Sequence, residues 1–235
     1  MKKFPVIALL AVGVCCASLA DAAPKRKAGQ NRVGPYASGT AGMTVYSGSH
    51  AEEEQLLRDV LTANDIPYQN LASSTDDSDI GFEVAFGYRF NRYFAAEISF
   101  VQFGELSTTA SADLDFPNDG AGFQPADLEL TFKTGGPIFS AIGILPINER
   151  FELFARAGYF FSSFTRGFSS RVNGQTLSGS ARSDDQVPVY GAGAAWNINK
   201  VYSLRAEYQV IKDVGDAGSG QQDMNFMGLQ FSMRF

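Results

Sequence analysis

The 235-residue sequence predicts an all-β protein, an eight-stranded antiparallel transmembrane β-barrel with long extracellular loops and short periplasmic turns. Three observations carry that prediction. Apolar residues recur at every second position in successive segments, the period of a strand with one apolar face. The connections between segments alternate between short and long, as they do in bacterial outer-membrane barrels. The chain opens on an export leader, and no later stretch holds the roughly 18 consecutive apolar residues that mark a membrane-crossing helix.

The leader is read from Lys2 and Lys3, an apolar run from Phe4 to Leu19 and small residues around Ala20-Asp21-Ala22, which together predict a signal peptide over 1–22. A lipoprotein leader using Cys15 or Cys16 fits less well, because Val14 stands where a small residue is expected. Cleavage removes both cysteines, so the exported chain is expected to have no disulfide. Residues 23–33 are expected to be a basic periplasmic segment, with Lys25, Arg26, Lys27 and Arg32, and 34–235 is assigned to the barrel.

The glycine-rich "PYASGTAGMTV" supplies a first strand whose faces are not distinguishable. "GFEVAFGYRF" sets Phe82, Val84, Phe86, Tyr88 and Phe90 against Glu83 and Arg89, and "YFAAEISF" sets Phe94, Ala96, Ile98 and Phe100 against Glu97 and Ser99. In the next segment Leu128, Leu130, Phe132, Ile138, Ile142 and Ile144 share one parity, expected to face lipid, and Glu129, Thr131 and Lys133 the other. Phe151, Leu153, Ala155, Ala157 and Tyr159 oppose Glu152, Arg156 and Gly158, although Phe154 and Phe160 blur the second face. Tyr190 to Trp196 alternate with Gly191 and Gly193, and Tyr202, Leu204, Ala206, Tyr208 and Val210 oppose Arg205, Glu207 and Gln209. The last segment places Met227, Leu229, Phe231, Met233 and Phe235 opposite Gly228, Gln230, Ser232 and Arg234. Tight turns fall at Asn91-Arg92, 148–150 and 197–200, with long connections at about 48–79, 107–127, 169–186 and 214–222. Closure follows from the membrane, since an open edge in hydrocarbon leaves backbone groups unpaired at several kcal/mol each. The last strand must therefore pair with the first. Phe90, Phe94, Phe151, Trp196 and Tyr202 flank the short turns and form the expected aromatic girdle there.

Sending the other parity inward gives a lumen charge network of Glu83, Glu97, Glu129, Glu152 and Glu207 with Arg89, Lys133, Arg156, Arg205 and Arg234. A soluble sandwich or lipocalin-like barrel would instead place large residues inward. Eight strands enclose an interior that side chains just fill, so paired charges read as a polar plug rather than a selectivity filter. Acids crowd the long loops, from Glu52, Glu53 and Glu54 to Asp184 and Asp185, against Arg58, Arg171 and Arg182. These carboxylates are expected to give a solvated, repulsive rim; divalent-cation bridging to lipopolysaccharide phosphate is a second reading, but no Ca²⁺-loop spacing is present. Ser49 and Glu52 have capping-box spacing before Leu56, Leu57, Val60 and Leu61, which predicts a short amphipathic helix over the barrel mouth.

Catalytic, cofactor and metal sites are each read as none. The single histidine, His50, lacks a visible base-orienting group, and P-loop, dinucleotide and metal spacings are absent. A formal net charge of −6 argues against nucleic acid as a partner. The expected role is structural and surface-interacting, with a small pore as the alternative and a lipid A-modifying enzyme behind it.

The blocks "DSDIGFEVAFGYRFNRYFAAEISFVQFGEL", "AIGILPINERFELFARAGYFF", "YGAGAAWNINKVYSLRAEYQVI" and "FMGLQFSMRF" resemble the transmembrane domain of the OmpA-like outer-membrane β-barrel family. The resemblance implies a monomeric barrel in the cell outer membrane, surrounded by outer-membrane lipid and lipopolysaccharide, with both termini in the periplasm. It also implies insertion by the barrel-assembly machinery, with Leu229, Phe231, Met233 and Phe235 as the C-terminal signal, and contacts to an extracellular ligand through the acidic loops. The peptidoglycan-gripping periplasmic domain of full-length relatives is not expected from this sequence.

Overall fold

The computed structural model describes residues 32–47, 55, 58–59, 61–62, 65–76, 78–115, 122–172, 175–214 and 222–235. The expected leader, residues 23–31, His50, the capping pair Ser49 and Glu52, and Leu56, Leu57 and Val60 lie outside these. Among the described residues nine strands follow one another: β1 (Gly34–Ser47), β2 (Tyr68–Asp76), β3 (Ser78–Arg89), β4 (Phe94–Leu114), β5 (Gln124–Pro146), β6 (Phe151–Val172), β7 (Gln175–Asn197), β8 (Tyr202–Val214) and β9 (Gln222–Arg234). Eight of them form a ring in the order β4-β3-β1-β9-β8-β7-β6-β5, closed by β4 pairing with β5, and every pairing is antiparallel. The last strand does pair with the first, from Tyr36↔Arg234 to Ser47↔Asp223, and the Phe235 N–H donates to the Pro35 carbonyl at 3.1 Å.

The ninth strand is β2, which continues the line of β3 beyond the ring. It pairs with β4 from Tyr68↔Leu114 to Asp76↔Ser107, above the level where β3 stops at Phe82↔Gln102. Much of the stretches expected to be loops at 107–127 and 169–186 is strand: β4 to β7 run 21, 23, 22 and 23 residues. A membrane-crossing strand needs about 9–11 residues. One side of the ring, β4 to β7 with β2 at its edge, therefore rises as a curved sheet well beyond the other. Leu61, from the described part of the short helix, packs with Ala112, Leu114 and Ala126 on the inner face of that extension.

The three short turns share one construction. Asn91, Asn148 and Asn199 each turn their Oδ1 onto the backbone, accepting from Tyr93 (2.7 Å), from Arg150 and Phe151 (2.8 Å), and from Val201 and Tyr202 (2.8 Å). Asparagine suits the position because its side chain closes a turn that the backbone alone would leave half-satisfied.

Outside the ring, Phe82, Val84, Phe86, Tyr88, Phe100, Phe139, Leu145, Leu153, Tyr159, Tyr190, Tyr208, Met227 and Leu229 are exposed and make an apolar belt. Inside, β5 reverses the expectation set for it. Ile138 and Ile142 are 0% exposed and Ile144 is buried, whereas Phe139 and Leu145 stand outside with Lys133 and Glu129. The even parity was correctly seen as one face, but it is the inner one. Ile142 and Ile144 lie at the level of the belt, where they pack inside with Tyr36, Ala95, Phe154 and Ala195 while Phe139 and Leu145 take the outer face; only beyond the belt, at Phe132, does water outside the wall turn the apolar face inward.

In β4 a bulge between Gln102 and Glu105 changes the inward parity. Gly104 takes φ +84°, a conformation open to glycine, and the Asp79 carboxylate accepts the Glu105 N–H at 2.9 Å. Below the bulge Glu97, Ser99, Val101 and Phe103 face inward; above it Leu106, Thr108, Ala110, Ala112 and Leu114 do.

Candidate functional site

The interior is built in layers, each from the inward parity of the ring strands. Nearest the short turns lies Glu152 of β6. Arg89 of β3 reaches it at 3.0 Å and Arg32 at 2.9 Å. Arg89 also donates to the backbone carbonyls of Asn91 at 3.0 Å and Arg92 at 2.8 Å, so one buried guanidinium fixes both the ion pair and the first turn. Arg234 is on the same level, donating to Asn197 Oδ1 at 2.7 Å.

The next layer centres on Arg156. Its Nη1 bonds Glu83 at 2.9 Å, Nη2 bonds Glu97 at 2.5 Å, and Nε lies 2.9 Å from Glu207 as an ion pair out of hydrogen-bond alignment. All four side chains are essentially out of solvent reach. Glu83 also accepts from Gln209 at 3.1 Å and Glu97 from the Tyr36 hydroxyl at 2.8 Å. Arg205 approaches Glu97 at 3.5 Å and Gln230 at 3.1 Å, while its guanidinium lies between the Tyr36 and Phe154 rings, 5.2 and 5.3 Å from their centroids. Two glycines make the stack possible: a Cβ at Gly87 would overlap the Tyr36 ring, and one at Gly193 would overlap Phe154. Burying a charge is costly unless it is paired, which is why the three carboxylates and two guanidiniums share this one cluster.

Above the ions the interior turns apolar. Phe103, Phe160, Ile138, Val189 and Ile211 are 0% exposed, and Phe226 and Met224 are 1% exposed. Phe103 meets Phe160 and Phe226 edge to face, with centroids 5.4 and 5.5 Å apart. Phe226 lies against Gly42, Gly81 and Gly228, each of which lacks the Cβ that would displace the ring. This apolar plug lies in series with the polar plug of paired charges that the sequence predicts.

Of the expected lumen network, Glu83, Glu97, Glu207, Arg156 and Arg205 are brought together, and Arg89, Glu152 and Arg234 form the lower layer. Glu129 and Lys133 do not join them: both are exposed on the outer wall, where Lys133 pairs with Glu105 at 3.1 Å. Sequence reasoning missed Tyr36, Gln209, Gln230 and the three phenylalanines. A signal for the plug was present, since Phe103 shares the parity of Glu97, Phe160 that of Arg156, and Phe226 that of Gln230.

Around the turns Phe90, Phe94, Phe151 and Trp196 are exposed on the outer wall, and Tyr202 is half-buried against Phe231, with rings stacked at 5.6 Å. Along β9, Leu229 and Phe231 are exposed, whereas Met233 is covered at 1% exposure between Ala37 and Tyr202 in the register, and Phe235 is half-buried. The expectation that Met233 presents itself to lipid is therefore corrected.

Comparison with known proteins places these features in a family. The model of the OmpA-like transmembrane domain matches residues 39–235. Outer membrane protein A of Klebsiella pneumoniae is 25% identical over 171 residues, covering 72% of this chain and 44% of the relative, and that of Serratia marcescens is 25% identical over 173 residues, covering 72% and 43%. The chain thus spans less than half the length of these curated relatives. Among solved structures, Ail, the attachment invasion locus protein of Yersinia pestis, aligns over 86% of this chain and 99% of its own at 19% identity and a TM-score of 0.38. OprG from Pseudomonas aeruginosa aligns over 87% and 98% at 12% identity and a TM-score of 0.42. With a family match over most of its length, the chain belongs to the OmpA-like transmembrane domain family and is a β-barrel of the outer membrane.

Proposed function

We propose that this barrel is a sealed structural element of the outer membrane that carries an extracellular sheet as its contact surface, rather than a pore or an enzyme. The observation that carries the proposal is the interior, where an ionic layer and an aromatic plug lie in series and both are closed to solvent. A water-filled path would need both to open. The inward carboxylates Glu83, Glu97, Glu152 and Glu207 are each paired with an arginine, which supports a scaffolding role for them over a catalytic one. The sheet of β2 and the upper parts of β4 to β7 stands clear of the belt and offers acidic and hydroxyl side chains, including Asp127, Glu129, Ser169, Ser74 and Thr109, for contact with an external ligand. Insertion through the barrel-assembly machinery, with Leu229, Phe231, Met233 and Phe235 as recognition elements, and a monomeric state complete the reading.

Planar-bilayer recording tests it. The wild-type chain should give no sustained conductance, and the double variant Phe103→Ala/Phe160→Ala should still be held closed by the ionic layer. A steady ohmic channel in the wild type would overturn the sealed reading and favour the pore.

A further inference from the structure

Three exposed cations sit on the three short turns, and the fold places them alike. Arg92, Arg150 and Lys200 each fall one or two residues after the asparagine that closes a short turn. All three are exposed, and among the described residues none is in an ion pair. Their neighbours on the same turns are exposed apolar side chains: Tyr93 at 55%, Ile147 at 57%, Phe151 at 49% and Ile198 at 47%. The Arg92 guanidinium lies 4.9 Å over the Tyr93 ring. Glu149 is the single acid on the three turns, and its carbonyl accepts from Arg32.

The turns are also held in place from within. Arg89 grips the first through the Asn91 and Arg92 carbonyls, and the Tyr93 carbonyl accepts the Ile144 N–H at 2.7 Å. The Asn197 N–H donates to the Arg150 carbonyl at 2.7 Å and the Arg234 N–H to the Val201 carbonyl at 2.9 Å. Cations on fixed turns, interleaved with apolar side chains at the edge of the belt, have the composition that favours headgroup depth.

We propose that the short-turn rim is a basic collar that selects anionic phospholipid headgroups of the periplasmic leaflet. Each cation meets a lipid phosphate while its apolar neighbour enters the acyl boundary, and pinning of the turns keeps the ordering cost low. At the opposite end the exposed cations stand beside acids, Lys133 with Glu105, Arg182 with Asp184 and Arg171 in a cleft shared with Asp127 and Glu129, so that end has no comparable run of unopposed cations among the described residues. An anionic cell-wall polymer would also attract cations, but it has no use for the interleaved tyrosine, isoleucine and phenylalanine side chains.

The test reconstitutes the full-length protein in phosphatidylcholine vesicles carrying trace spin-labelled phosphatidylglycerol or spin-labelled phosphatidylcholine, and measures the relative association of the two with the barrel surface. Phosphatidylglycerol should be preferred about fivefold at low salt, and the triple variant Arg92→Gln/Arg150→Gln/Lys200→Gln should bring the ratio to about one with circular dichroism unchanged. Lys133→Gln, on the outer wall at the other end, should keep the wild-type ratio. Equal association of both lipids with the wild type would overturn the proposal, as would a triple variant that keeps the preference or a loss equally large in Lys133→Gln. If the triple variant lost only co-sedimentation with purified sacculi and kept its lipid ratio, the collar would belong to the cell wall and the proposal would fail.

Discussion

At the level of Arg156 the barrel is charged inside and apolar outside; at the level of Leu106 and Phe132 it is apolar inside and charged or hydroxylated outside. Four strands, β4 to β7, run through both cross-sections. Which face of a strand is apolar is decided by what lies beyond the wall. In lipid the outer face must be apolar, and a lumen this narrow can hold ions only if they pair. In water the hydrophobic effect acts in its usual direction and fills the inside. Between the two, around Phe103, Phe160 and Phe226, both faces are apolar, and that overlap seals the barrel.

The comparison breaks most severely at the hub of the lower section. Arg156→Ala removes the cation shared by Glu83, Glu97 and Glu207 and leaves three buried carboxylates without it. It should destabilise by at least about 3–5 kcal/mol, read as a lowered urea midpoint in vesicles, and adding Glu97→Gln and Glu207→Gln together should recover part of the loss. Phe103→Ala in the plug should cost about 3–5 kcal/mol through the cavity it leaves among Phe160, Phe226 and Ile138, measured in the same way. Gly87→Ala, which drives a methyl group into the Tyr36 ring and so disturbs the Arg205 stack, should cost about 1–3 kcal/mol. The smallest effect belongs to the outer wall of the upper section. Lys133→Gln should change the midpoint by no more than about 1 kcal/mol, since its pair with Glu105 is open to water.

The sequence made the ring legible wherever lipid lies outside and ions or small residues lie inside. In β3 the contrast of Phe82, Val84 and Phe86 with Glu83 and Arg89 fixes both the strand and its orientation, and in β8 Arg205 and Glu207 do the same. In β5 the alternation was visible but its sign was not, because "GGPIFSAIGILPI" is apolar on both faces and the part with clear alternation, Leu128 to Lys133, stands in water. β1 was silent about its faces because its inner side is Tyr36, Ser38, Thr40, Gly42 and Thr44, uncharged and mostly small, against an outer side of small residues as well. The pairing partners of Arg156 were also out of reach: Glu83, Glu97 and Glu207 come from three strands, and only closure of the ring brings them to one guanidinium. Strand content above the belt was hidden by composition, since "QTLSGSARSDDQ" in β7 reads as a loop and becomes strand through its unbroken register with β6.

The inversion of the wall is tested most directly by one substitution made at two heights. Glu83→Gln and Glu129→Gln are chemically identical, and both positions fall on the parity that the sequence sends inward. Their urea midpoints in vesicles of one composition should separate clearly: Glu83→Gln should lose about 3–5 kcal/mol, and Glu129→Gln should stay within about 0.5 kcal/mol of wild type. Equal losses at the two positions would place Glu129 in a buried ionic interior and contradict the account.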